Sequence, residues 1–119
     1  MKTPFKALAA VAGVAALLAG APAWAHTRLV SSTPAANAAG AAPKTITLTF
    51  SEKLVPAFSS FELVTPAHSK VAVKTVVSKD GKSITGAPGA LAAGAYKIAW
   101  KVASADGHHM TGELAFKVS

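Results

Sequence analysis

Four histidines and five carboxylates are spread over 119 residues, and three of these side chains could act together. Asp106 and His108 are separated only by Gly107, and His26 follows directly on Ala23-Trp24-Ala25. Residues at i and i+2 of an extended segment point to the same side, so the carboxylate and the imidazole can face one point. The glycine between them permits tight backbone geometry and adds no bulk. A chain cut after Ala25 would begin at His26, whose α-amine and ring Nδ1 can close one chelate ring. Amine, two imidazoles and one carboxylate make three nitrogens and one oxygen. That is a tetragonal set, preferred by Cu(II) with Ni(II) next, and the order of divalent-metal affinities also favours copper. Both kinds of nitrogen must be unprotonated to bind. With reference values of ~7.7–8.0 for an α-amine and ~6.5 for histidine, affinity should fall through mildly acidic pH.

The cut is expected from the leader. Lys2 and Lys6 form a positive start, Ala7 to Gly20 is an uncharged apolar run, and Ala21 to Ala25 supplies small residues for cleavage. The alternative frame, Ala21-Pro22-Ala23, contains a proline and is the weaker site. Residues 1–25 therefore read as a signal peptide and 26–119 as one domain. The apolar run is short for a membrane span of ~20 residues, and no second run of that length follows, so the mature chain is not expected to span a membrane.

Composition narrows the chemistry. The sequence has no cysteine, which excludes disulfides and metal–thiolate sites. Ten basic side chains against five acidic ones would leave the mature chain at +5. The lysines are scattered singly, as they are where they blunt strand edges. A nucleic-acid surface would want them clustered among aromatics, so no nucleic-acid partner is expected.

The elements that must position these donors read as strands. Lys44 to Phe50 alternates with Ile46, Leu48 and Phe50 on one face. Tyr96 to Val102 places Tyr96, Ile98, Trp100 and Val102 inward, and Gly112 to Val118 does the same with Leu114, Phe116 and Val118. Shorter candidates are Arg28 to Ser31, Phe61 to Val64, Val71 to Val77 and Ser83 to Thr85. Ser78 to Lys82 carries an Asp-Gly hairpin turn, and Pro34 to Pro43 reads as an alanine-rich loop. About seven strands without a helical stripe predict an all-β, Greek-key sandwich or barrel, with Trp100 as its largest core side chain. The loop from Val102 to Gly112 would then join the last two strands and carry Asp106 and His108.

In their order and spacing, several segments together resemble the CopC copper-resistance proteins of the bacterial periplasm. They are the mature-start histidine, Ser31-Ser32-Thr33-Pro34, Leu48-Thr49-Phe50-Ser51-Glu52, Tyr96 to Trp100, and Ser104-Ala105-Asp106-Gly107-His108 followed by Gly112. The resemblance covers nearly the whole mature chain. It implies an immunoglobulin-like β-barrel that binds Cu(II) through His26 as amine and imidazole, Asp106 and His108. It also implies a CopD-type inner-membrane copper transporter as partner. Some members carry a methionine-rich loop for Cu(I). Here the mature chain has only Met110, and the Pro66-Ala67-His68-Ser69 segment holds no methionine, so a single Cu(II) site is expected.

The remaining candidates have plainer readings. His109 and His68 read as exposed neighbours, Met110 as packing, and Glu52 and Glu113 as surface acids that could instead orient a ligand imidazole. Two other functions compete with a copper carrier: a small copper-dependent oxidase or monooxygenase, and an immunoglobulin-like scaffold without metal. An aspartate filling the fourth equatorial position, in a chain lacking a broad substrate face, argues against the enzyme.

Overall fold

The computed structural model describes residues 27–119; the expected signal peptide and His26 lie outside the described residues. Among the described residues nine strands form two sheets: β1 (Leu29–Thr33), β2 (Ala39–Gly40), β3 (Ile46–Phe50), β4 (Ser60–Val64), β5 (Lys70–Ala72), β6 (Thr75–Val77), β7 (Ser83–Gly86), β8 (Gly94–Ala103) and β9 (His109–Val118). One sheet has the order β1-β3-β7-β6 and the other β2-β9-β8-β4-β5. Among the described residues the helical content is one 3-10 turn, Pro56–Phe58, and no helix is long and apolar enough to cross a membrane.

The sandwich follows from alternation. β3 is buried at Ile46, Leu48 and Phe50 and half-buried between them. Those three side chains meet Phe61 and Leu63 of β4, Ile84 of β7, Tyr96, Ile98 and Val102 of β8, and Leu114, Phe116 and Val118 of β9 in one core. Burying a large apolar side chain contributes about 1.5–3 kcal/mol, so the three inward positions of β3 alone outweigh the polar contacts on its outer face. Tyr96 is in the core with its ring stacked on Phe116 at 5.5 Å, and its hydroxyl donates to the Ala92 carbonyl at 2.7 Å. Trp100 faces inward but is only half-buried; the largest fully buried side chains are Phe50 and Phe61.

Two expectations are corrected by the pairing. Val71 to Val77 is not one strand. Lys70–Ala72 pairs with β4 in one sheet, Thr75–Val77 pairs with β7 in the other, and Val73 and Lys74 cross between them. Sandwich corners are made by chains that switch sheets, and here no glycine or proline marks the switch. The alanine-rich loop also contains a strand, β2, parallel to β9. It is held by backbone alone, with Asn37 N–H donating to Ala115 O at 2.6 Å and Lys117 N–H to Ala38 O at 2.8 Å.

The Asp-Gly turn joins β6 and β7 as expected. Gly81 has φ +79°, and the Asp80 carboxylate accepts from Lys82 N–H at 3.0 Å. β8 and β9 make the longest hairpin, paired continuously from Gly94–Val118 to Ala103–His109. Pairing of His109, Met110 and Thr111 with Ala103, Val102 and Lys101 shortens the expected Val102–Gly112 loop to residues 104–108.

Candidate metal centre

That five-residue loop at the hairpin tip carries Asp106 and His108. Gly107 has φ +94°, a conformation glycine adopts without steric cost. It folds the loop so that Gly107 N–H donates to Ser104 O and Ser104 N–H donates to His108 O, both at 2.9 Å. The i, i+2 reading therefore holds for direction although the segment is a turn: His108 Nδ1 lies 2.9 Å from Asp106 Oδ2. The other carboxylate oxygen, Oδ1, accepts from the Ser104 hydroxyl and from His108 N–H at 3.3 Å. Both side chains remain about half exposed, so the pair is accessible from solvent.

These contacts set the charge. The Ser104 hydroxyl first, then the His108 imidazole and its backbone N–H, hold the Asp106 carboxyl down at about 2. Asp80 is lowered too, mainly by the Ser78 hydroxyl. A depressed native value contributes stability that is fully present above the unfolded value of ~3.9 and is lost as pH falls toward the native one. Stability should therefore drop between about pH 4 and pH 2. Asp106→Asn should flatten that part of a Tm-against-pH curve, leaving the Asp80 share; an unchanged slope would show that these hydrogen bonds do not act on folding.

The loop is anchored to the end of the sandwich where β1 begins. Ala105 N–H donates to Lys53 O at 3.3 Å, and Leu54 bridges Ser104. Two residues earlier on the same connection, Ser51 N–H donates to Arg28 O at 2.9 Å, and Arg28 N–H donates to Ser51 Oγ at 2.9 Å. The 51–55 segment thus ties residue 28 and residues 104–105 to one end of the molecule. Thr27 there is buried. His26, next in the chain, lies outside the described residues.

The donor pair suits a divalent ion. Imidazole nitrogen and carboxylate oxygen bind ions such as Zn(II) at about 2.0–2.2 Å, so two such donors at right angles stand about 2.9 Å apart. Nδ1 and Oδ2 have that separation through the hydrogen bond they share, and a rotation that turns both toward a common point would exchange that bond for two bonds to an ion. Among the described residues no group of three or more His, Cys, Asp or Glu side chains gathers for a metal. Asp106 and His108 supply two donors, and the others expected are those of His26. Ser104, Asp106 and His108 do not make a hydrolytic triad, because the hydroxyl is buried and donates to the carboxylate instead of to the imidazole.

The other residues of interest fall into place. His109 is exposed, with its ring edge-on to Phe58 at 6.0 Å. His68 is exposed in the turn after β4, at the far end: Ser60 pairs with Lys101 near the site loop, whereas Val64 pairs with Lys97. Met110 packs against the core. Glu113 is exposed 4.0 Å from Lys97, and Glu52 is half-buried in the 51–55 connection. The residue sequence reasoning missed is Ser104, whose signal was a hydroxyl two positions before a carboxylate in a glycine turn.

Residues 29–119 match the family model of the CopC domain. The chain is 47% identical over 112 residues to copper resistance protein C of Pseudomonas syringae pv. tomato, covering 87% of this chain and 89% of that one. Among solved structures it is similar to PcoC, a methionine-rich copper resistance protein from Escherichia coli. The TM-score is 0.69 at 40% identity, over 80% of this chain and 100% of that one. It is similar also to CopC from Methylosinus trichosporium OB3b, with a TM-score of 0.71 at 32% identity over 79% of this chain and 94% of that one.

Proposed function

The chain belongs to the CopC family, and from that premise we propose that its mature form binds Cu(II) in the periplasm and carries or buffers it for copper homeostasis and resistance. The ligands are His26, through amine and imidazole, Asp106 and His108. The observation that carries this reading is the 2.9 Å spacing of Nδ1 and Oδ2 on an exposed loop, at the end where the backbone next to residue 26 is fixed. Four strong donors fill a square plane, which favours holding the ion over activating a substrate on it. A CopD-type inner-membrane copper transporter is the proposed partner.

The oxidation state follows from donor softness. Cu(I) selects thioethers and thiolates. The mature chain has no cysteine and one methionine, and that residue, Met110, packs against the core. Intact mass of the secreted protein, with and without copper, should show a chain starting at His26 that takes up one Cu(II). His108→Ala should abolish one-to-one uptake, and cuprous ion should bind only weakly. A wild-type protein that gains no mass with Cu(II), or a His108→Ala variant that still binds tightly, would sink the assignment. Turnover of a sugar or of peroxide by the copper-loaded protein with a reductant would move it toward the enzyme reading.

A further inference from the structure

Ser104 is only 2% exposed, yet every polar atom it has is spent on the loop that follows it. Its N–H donates to His108 O and its carbonyl accepts from Gly107 N–H. Its hydroxyl donates to Asp106 Oδ1 and lies 3.4 Å from His108 O. The residue is itself held from behind. Its Cα partner is Leu54, a core side chain. The preceding Ala103 receives a bond from Val55 N–H at 2.8 Å and donates its own N–H to Ser59 Oγ at 3.2 Å. A buried, fixed foot therefore supports a half-exposed tip.

Asp106 would otherwise rotate freely, as half-exposed carboxylates do, and holding it costs side-chain entropy when a ligand arrives. A donor anchored in the core removes that freedom beforehand. It occupies Oδ1 and thereby leaves Oδ2 turned to His108 Nδ1. We infer that Ser104 is a positioning residue for copper capture, its buried hydroxyl presetting Asp106, and through Asp106 the His108 ring, at the spacing a tetragonal ion requires. This inference rests on the ligand assignment proposed above. It assigns Ser104 no direct bond to the metal, because its hydroxyl is buried and already bonded to the carboxylate.

Outer partners of metal ligands typically change affinity by about 10- to 100-fold. Cu(II) affinity, by competition with a chelator, and the Cu(II) electron paramagnetic resonance spectrum are to be measured for wild type, Ser104→Ala, Ser104→Thr, Asp106→Ala and the Ser104→Ala/Asp106→Ala double variant. Ser104→Ala should bind about 10- to 100-fold more weakly, with a spectrum showing the loss or scatter of the equatorial oxygen. Ser104→Thr keeps the hydroxyl and should restore both. In the Asp106→Ala background, Ser104→Ala should have little further effect, since the hydroxyl acts through that carboxylate. A purely structural role would instead lower affinity in both backgrounds. Ser104→Ala with wild-type affinity and spectrum overturns the inference. So does a folded Ser104→Thr that behaves like Asp106→Ala, a comparison that stands even where Ser104→Ala fails to fold. If Asp106→Ala and His108→Ala both bind as wild type does, the ligand assignment itself has failed.

Discussion

The unprocessed chain, residues 1–119, is expected to bind Cu(II) at least about 100-fold more weakly than residues 26–119, because loss of a mere outer partner already costs ~10- to 100-fold. In the precursor the nitrogen of residue 26 belongs to a peptide bond, where resonance draws its lone pair into the C–N bond. Cleavage after Ala25, as proposed, would turn that amide into a primary amine, next to an imidazole on the same residue. Two donors joined by a few bonds bind one ion with one loss of translational freedom, so the second donor comes at high effective concentration. The precursor retains the His26 imidazole, Asp106 and His108, and should therefore still bind weakly. Competition titrations of the two forms against one chelator decide the matter. Equal affinities would remove the amine from the site, and binding would then rest on side chains alone. The pH dependence should point the same way. Asp106 is held at about 2, so it is ionised throughout the mildly acidic range. Copper loss between neutral pH and about pH 5 must therefore come from protonation of nitrogen donors, and the affinity of the mature form should begin to fall at higher pH and fall more steeply than that of the precursor, since an α-amine takes up its proton at ~7.7–8.0.

How much of this was legible in the residue order depends on which part of the residue carried the information. Where side chains alternate, strands could be read: Ile46, Leu48 and Phe50, then Tyr96 and Ile98, then Leu114 and Phe116 all lie in the core. Where backbone alone makes the pairing, they could not. Ala39 and Gly40 have no side-chain pattern, yet they bond to β9. Val71 to Val77 is an unpunctuated run rich in valine, so nothing in it marks the crossing from one sheet to the other at Val73 and Lys74. The loop shows the same division. A carboxylate and an imidazole two residues apart could be read as a candidate metal-binding pair. Ser104 carries only the weaker signal of a hydroxyl two positions before a carboxylate, since its part depends on being buried beneath the loop. The approach of the start of β1 to the β8–β9 loop is likewise invisible in spacing; it is made by the 51–55 connection, whose backbone bonds reach Arg28 and Ala105.

Gly112→Val is expected to destabilise the fold by about 3 kcal/mol, at the upper end of ordinary overpacking, and so to lower Tm by roughly 10–20 °C. Gly112 faces Trp100 directly across the β8–β9 hairpin, and side chains at paired positions share a face. A Cβ at residue 112 would stand 2.3 Å from Trp100 Cζ2 and 2.7 Å from Cε2, inside any real contact distance. The indole has no simple retreat. It meets Phe50 edge-on, with centroids 5.1 Å apart, and Phe50 is itself fully buried in the opposite sheet. A β-branched side chain at 112 must therefore push the tryptophan outward or prise the sheets apart. Glycine is a poor strand former by propensity, so its presence in the longest hairpin reflects the volume of the ring above it. Trp24 lies in the expected leader, which leaves Trp100 as the sole tryptophan of residues 26–119, and its fluorescence should shift to the red as the ring meets water. Gly40→Ala provides the control, because a Cβ there meets nothing within 4 Å and should leave Tm nearly unchanged. A Gly112→Val protein that melts within a few degrees of wild type, with unshifted emission, would mean that the ring over this glycine has room the structure does not show.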